Sequence, residues 1–275
     1  MKSENKKATA VKKKKVGLVL GAGGARGMCH LGVLRALHEN GVKVHCVTGS
    51  SMGSLVGGLF AAGVSLEKMD ELSAVARQGF IMDLNFDWRQ RDGLFRARRV
   101  MKMLTEAVGD LLIEDCPIKY RTTGVDVESA ELFIFKKGVL RDAIRASMAI
   151  PGVFTPWEVN GRTYMDGGGL CRLPVQAARD MGATAVIAVD ALGRVRPTAV
   201  PSGIFGMVQR YNDIVDWEIA KNRIETNSAD VLITPDMGDK SQFIFKHNEE
   251  AVEAGYKATV EAMPEILKVV NNFQN

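Results

Sequence analysis

A serine flanked by glycines stands in a pentapeptide that is typical of a catalytic nucleophile. The pentapeptide is Gly-Ser-Ser-Met-Gly, with Ser51 between Gly49 and Gly53. A strand-like run at 44–48 precedes it and an apolar helical run at 54–64 follows it, which is the strand, tight turn and helix that a nucleophile elbow requires. Glycines are needed because side chains beside the strained turn would collide with the neighbouring strand and helix. Taken alone, the pentapeptide leaves open an incidental serine in a glycine-rich turn.

A second glycine-rich segment could hold a developing negative charge. It lies between the first strand-like run and the first helical run and consists of Gly21, Ala22, Gly23, Gly24, Ala25, Arg26 and Gly27. Such a loop presents several backbone N–H groups to an anion, either as the oxyanion hole of a hydrolase or as a phosphate cradle. A dinucleotide fingerprint would need glycine at position 26, and a P-loop would need a Gly-Lys-Ser/Thr ending. Both are missing, so the oxyanion hole is favoured.

An aspartate is a better candidate than any histidine for the base that a nucleophilic serine needs. Asp166 ends a short strand-like run and precedes three glycines, which let the backbone pack closely against another segment. It could accept the serine proton directly if partial desolvation in an apolar cleft tunes its pKa. An ordinary Asp-Gly turn is the alternative reading. His247, the late histidine that an α/β-hydrolase triad would use, stands in a polar helix start, and His30 is interpreted as a packing or loop-bracing residue.

Strand-like and helical patterns alternate along the chain and predict an α/β fold. Short β-branched apolar runs at 16–20, 44–48, 184–192 and 230–235 are typical of a mostly parallel sheet covered on both faces. Residues 121–138 look like two strands joined by a polar turn, so the sheet is expected to be mixed.

The domain organisation expected from the sequence is a lysine-rich disordered tail over residues 1–15 and a single domain over 16–275. A helix is predicted to end near Pro151, and the linker-like segment 193–203 is expected to frame a mobile flap.

Charge and composition exclude several classes of protein. The first 15 residues hold seven lysines against one glutamate, so the remainder of a chain with formal charge +4 is slightly negative. A body without net positive charge argues against a nucleic-acid binder. The four cysteines form no CxxC or Cys/His cluster, so we expect buried thiols, no metal and no cofactor. The tail lacks the apolar stretch of a secretory signal, and the sequence holds no apolar run of ~18 residues. We therefore expect a cytoplasmic protein with at most peripheral membrane contact.

The three glycine-rich motifs, GAGGARG, GSSMG and DGG, in that order and spacing, resemble those of the patatin-like phospholipase family. The segments at 93–100 and 144–156 are similar to bacterial members related to the neuropathy target esterase catalytic domain. The resemblance implies a three-layer α/β/α fold and metal-free hydrolysis of acyl esters by a Ser51–Asp166 dyad. It also implies that backbone donors around Gly23, Gly24 and Ala25 hold the oxyanion and that Arg26 braces the loop.

The substrate expected from this resemblance is a lipid or another acyl ester. Two segments that mix apolar and charged residues, 80–99 and 204–225, could each form a lid over the cleft, or could be ordinary core and solvated surface. The lysine tail could attract anionic lipid or simply keep the protein in solution. Two rival hypotheses stay open: an α/β-hydrolase that uses His247, and a lipid-binding or regulatory module with a silent dyad.

Overall fold

A computed structural model describes residues 14–75, 93–195, 197–222, 229–238 and 244–271. Its centre is an eight-stranded mixed sheet. The strands of the chain, in order, are β1 (Val16–Leu20), β2 (Val44–Gly49), β3 (Gly93–Phe95), β4 (Lys119–Asp126), β5 (Glu131–Phe135), β6 (Gly152–Phe154), β7 (Trp157–Val159), β8 (Arg162–Asp166), β9 (Ala185–Val189) and β10 (Val231–Ile233). The sheet follows the order β10-β9-β1-β2-β4-β8-β7, with β5 also paired to β4.

The parallel part of the sheet runs from β10 to β4, and the antiparallel strands β5, β8 and β7 complete it. Parallel pairing explains why β1 and β9 are wholly buried apolar runs, since helices or loops cover both faces. The mostly parallel, mixed sheet predicted from the sequence is confirmed.

The helices form a layer on each face of this sheet. They are α1 (Cys29–Glu39), α2 (Met52–Ala61), α3 (Leu66–Val75), α4 (Arg98–Val108), α5 (Leu140–Ser147), α6 (Val175–Arg179), α7 (Gly203–Asn222) and α8 (Asn248–Asn271). The main core joins α1, α2, α4, α5 and α8 to one face, where Leu18 and Leu20 point. Val19 points to the other face and packs with the α6 region, as the two-residue period of a strand dictates.

Sheet register brings the candidate functional segments to one place. The glycine-rich loop follows β1 and Ser51 follows β2, and these strands are parallel neighbours with Leu20 opposite Gly49. Strand β4 links these two segments to the one that ends in Asp166. Its Thr122 pairs with Gly49 of β2, and its Gly124 pairs with Asp166 of β8. Ligands of open α/β sheets bind at the carboxyl ends of such strands.

Several expectations concern residues outside the described ranges. The lysine tail up to residue 13 and residues 80–92 of one lid candidate are among them. Residues 93–95 of that candidate form β3, which pairs in parallel with β6 in a separate two-stranded sheet, and its last two residues begin α4. Within the described part of the chain, no helix combines the length and apolar character needed to cross a membrane.

Candidate active site

Ser51 occupies the sharp turn between β2 and α2. Its backbone has φ +53° and ψ −123°, and α2 begins at the next residue. A positive φ is uncommon for a residue other than glycine and marks a backbone held under strain by its surroundings. The turn places the serine at the N-terminus of α2, where the helix dipole favours negative charge.

The two glycines of the elbow stand where no side chain fits. A Cβ atom at Gly49 would lie 2.4 Å from the Gly53 carbonyl oxygen, and one at Gly53 would lie 2.0 Å from the Leu20 carbonyl oxygen. Both contacts are with backbone atoms, so no rotamer change relieves them. The elbow therefore requires glycine at these positions for packing reasons.

Asp166 ends β8 with its carboxylate directed at Ser51. The Ser51 hydroxyl donates to Asp166 Oδ2 at 2.6 Å, and the Gly168 N–H donates to Oδ1 at 2.7 Å. The glycines that follow allow a close approach, because a Cβ atom at Gly167 would lie 2.1 Å from Thr123 Oγ1. The fold thus joins a hydroxyl and a carboxylate that are 115 residues apart.

The environment of Asp166 gives the carboxyl an unusual acidity. Burial raises its pKa from 3.8 to about 7, which the hydrogen bonds from Ser51 and Gly168 oppose and the nearby charge of Asp216 reinforces. A general base works best when its pKa lies close to the working pH. A carboxyl with this pKa can exchange a proton near neutral pH.

The glycine-rich loop turns into a short 3-10 helix, Gly24–Met28, before α1. Its first two amides are engaged, since the Gly21 N–H donates to the Val189 carbonyl and the Ala22 N–H to the Arg172 carbonyl. Gly23 and Gly24 line the same cleft as Ser51 and Asp166. The first two amides of the loop are therefore already hydrogen-bonded, whereas Gly23 and Gly24 lie beside Ser51.

A cleft of about 390 Å³ surrounds the Ser51–Asp166 pair. Its walls are largely apolar, with Val125, Ile150, Pro151, Met165, Leu170, Leu192 and Val215. Helix α7 closes one side with Gln209, Asn212, Asp213 and Asp216. A second, more polar cavity of about 660 Å³ shares part of this α7 face. It is also lined by several residues of segment 193–203, of which residue 196 is not described.

The family profile described as patatin-like phospholipase matches residues 18–179, which include Ser51 and Asp166. This chain belongs to the patatin-like phospholipase family. The family resemblance seen in its three glycine-rich motifs is thereby confirmed.

The relatives of this chain include NTE family proteins and other patatin-like phospholipases. An uncharacterized NTE family protein of Mycobacterium tuberculosis is 35% identical over 221 residues, covering 77% of this chain and 60% of the relative. Lysophospholipase NTE1 of Yarrowia lipolytica is 32% identical over 68% of this chain and 13% of its own length. Patatin-like phospholipase domain-containing protein 6 of Mus musculus is 34% identical over 64% of this chain and 13% of its own length. The chain thus spans 60% of the length of the mycobacterial relative and 13% of the length of each of the other two.

Among solved structures, VipD from Legionella pneumophila has a similar fold. The TM-score is 0.58 at 16% identity, and the match covers 92% of this chain and 67% of VipD. At this identity the likeness concerns the fold alone, and it confirms the expected three-layer α/β/α class.

A buried polar network behind the patatin-like elbow was not foreseen from the sequence. The Ser51 N–H donates to Ser147 Oγ at 3.0 Å, and Thr122 Oγ1 lies 3.1 Å from the same oxygen. Thr122 donates its proton to the Gly49 carbonyl, so Ser147 must donate to Thr122 and accept from Ser51. A second hydroxyl, on Thr123, donates to Ser50.

Short polar residues in a helix or strand give little sequence signal. Ser147 ends α5 within the family-like segment at 144–156, which was the one available hint. In the structure each of these hydroxyls satisfies a buried partner, and Ser147 holds the backbone of the strained turn at Ser51.

Neither His30 nor His247 of this patatin-like chain lines the cleft that holds Ser51 and Asp166. His30 is fully buried, burial lowers its pKa to about 4, and its Nε2 lies 2.8 Å from the Gly21 carbonyl oxygen. A neutral ring must donate there, so His30 braces the glycine-rich loop as the sequence suggested. His247 is exposed, bonds to Glu250 at 2.8 Å and precedes α8. It does not line the cleft.

The remaining loop residues pack around the cleft rather than in it. A Cβ atom at Gly27 would lie 2.6 Å from Met52 Cβ, so this glycine lets the loop approach α2. Arg26 is half-buried and lines the larger neighbouring cavity, and Ala25 is buried. Three of the four cysteines are buried and Cys116 is half-buried. The described residues contain no group of three or more potential metal-binding side chains.

Proposed function

We propose that this chain is a serine acyl hydrolase that cleaves acyl esters of lipids, with Ser51 as nucleophile and Asp166 as base. The observation that carries the proposal is the 2.6 Å hydrogen bond from the Ser51 hydroxyl to a buried carboxylate whose pKa is raised to about 7. A nucleophile within hydrogen-bond reach of a base of suitable pKa is the geometry that covalent catalysis requires.

In the first step Asp166 Oδ2 takes the Ser51 proton while Oγ bonds to the ester carbonyl carbon. The tetrahedral intermediate collapses, the C–O bond to the leaving alcohol breaks, and the alcohol takes the proton from Asp166. A water molecule, deprotonated in turn by Asp166, then attacks the acyl-enzyme. The second tetrahedral intermediate collapses, the bond between Ser51 Oγ and the acyl carbon breaks, and Asp166 returns the proton to Oγ as the fatty acid leaves.

The oxyanion is assigned to the amides of Gly23 and Gly24. Both residues line the cleft beside Ser51, whereas the Ser51 N–H is engaged by Ser147 and the Gly21 N–H by Val189. A preorganised donor is worth about 3 kcal/mol to the transition state. Within the family-derived loop, Ala25 is proposed to add a donor, and Gly21, Arg26 and Gly27 to hold the loop's shape.

The apolar wall of the cleft supports an acyl chain as the part of the substrate bound there. A lysophospholipid or a simple carboxylic ester fits this proposal, and the names of the relatives include a lysophospholipase. The cytoplasmic location and peripheral membrane contact expected from the sequence belong to the same proposal.

The test is labelling with a fluorophosphonate probe together with hydrolysis of a soluble ester. Wild type should label and turn over, Ser51→Ala should do neither, and Asp166→Asn should lose about 10³-fold or more in turnover. Ser129→Ala and Asp115→Asn, at exposed positions, control for loss of a hydroxyl or a charge as such. If the folded wild-type protein neither labels nor hydrolyses any ester, the proposal is refuted. The remaining hypothesis is then a lipid-binding or regulatory module with a silent dyad.

A further inference from the structure

Helix α7 turns part of its polar surface, including Gln209 and Asp216, toward the protein. Gln209 is buried, and Asp216 accepts an ion pair from the buried Arg172 at 2.9 Å. Arg172 also pairs with Asp190 at 2.8 Å, and its guanidinium lies 5.5 Å from the centre of the Trp217 ring. These contacts fix α7 along the edge of the cleft by its polar face.

The opposite face of α7 is a stripe of exposed apolar side chains. The residues that form it, here named the α7 stripe, are Ile204, Met207, Val208, Tyr211, Ile214 and Val215. Ile204 is 87% exposed and Tyr211 is 67% exposed. Successive members are one or three positions apart in the sequence, so all six lie on one side of the helix.

This orientation is the reverse of what a surface helix normally adopts. An amphipathic helix in water turns its apolar stripe to the core and its charged residues outward. Here Gln209 and Asp216 face inward while Ile204 and Tyr211 face outward. Contiguous apolar surface of this kind marks a place where another apolar body binds.

We propose that the α7 stripe docks on a lipid surface and places the cleft at that surface. The choice of lipid rests on the proposed function, and the continuity of the two sites supports it. Val215 belongs to the stripe and also lines the cleft with Ser51. A bilayer in contact with the stripe would lie beside the mouth of the cleft, whereas a protein docked there would obstruct it. Tyr211 has the amphipathic ring that is favoured at a membrane interface.

The experiment measures binding of the Ser51→Ala protein to phosphatidylcholine vesicles by flotation, at low and at high salt. The Ser51→Ala protein should float equally well at both salt concentrations, because apolar contact is not screened by salt. Ile204→Ser/Tyr211→Ser in the same background should weaken binding roughly tenfold or more. Val260→Ser, which removes an exposed apolar side chain from α8, should bind as the parent does. Equal thermal midpoints would show that the variants are folded.

Each result bears on the inference separately from the proposed function. Loss of flotation only in the stripe variant supports the inference, even if the wild-type protein hydrolyses no ester. Wild type that hydrolyses a soluble ester but does not float, or whose stripe variant floats equally well, overturns the inference and leaves the hydrolase proposal standing. If light scattering shows a dimer and the stripe variant is a monomer, the stripe binds a second copy of the chain and the inference is overturned.

Discussion

Replacing Asp166 with asparagine should stabilise the fold in a way that grows with pH. The carboxyl has a pKa of about 7 in the folded protein against its usual 3.8. Below about pH 4 both states hold the proton, so the carboxyl contributes no pH dependence. As the pH rises towards 7, the unfolded chain loses this proton more readily, and wild type loses about 1.4 kcal/mol of stability for each pH unit. The total is about 4 kcal/mol above pH 7.

The asparagine variant has no such titration and keeps a carbonyl oxygen that can accept from Ser51. Its advantage over wild type in urea unfolding should therefore grow by about 4 kcal/mol between about pH 4 and about pH 8. Asp115→Asn removes the same charge at an exposed position and should show no comparable trend. If the difference between Asp166→Asn and wild type stays constant over this range, the buried, perturbed carboxyl is refuted.

Three further predictions concern the elbow and the base. Gly53→Ala should cost about 3 kcal/mol in urea unfolding because its Cβ meets a backbone carbonyl, whereas Gly169→Ala, with open space around it, should cost under about 1 kcal/mol. Ser147→Ala should cost about 1 to 3 kcal/mol and slow probe labelling, since the buried Ser51 N–H loses its acceptor; unchanged labelling would contradict a positioning role. His247→Gln should keep the wild-type value of kcat/KM and its increase with pH through about pH 7, because that increase reports deprotonation of Asp166. Loss of the increase would favour the hypothesis of a triad that uses His247.

Much of the fold could be predicted because its signals are local. The buried strands β1, β2, β9 and β10 were recognisable as apolar β-branched runs, and the hairpin of β4 and β5 as two runs around a polar turn. The orientation of α7 could not be predicted in this way. Its pattern gives an amphipathic helix, but only its contacts with Arg172 show that the polar side faces the protein.

The sequence by itself indicated the elbow, because glycines at 49 and 53 stand between a strand-like and a helical run, and this pattern is local. It also named Asp166 as a candidate, through the glycines that follow. Only the tertiary structure decided that this carboxylate meets Ser51 at 2.6 Å and that burial raises its pKa to about 7. Distance and desolvation arise from strand register across more than a hundred residues, and no local pattern records them. For the same reason the hydroxyl of Ser147 behind the elbow became visible only in the folded chain.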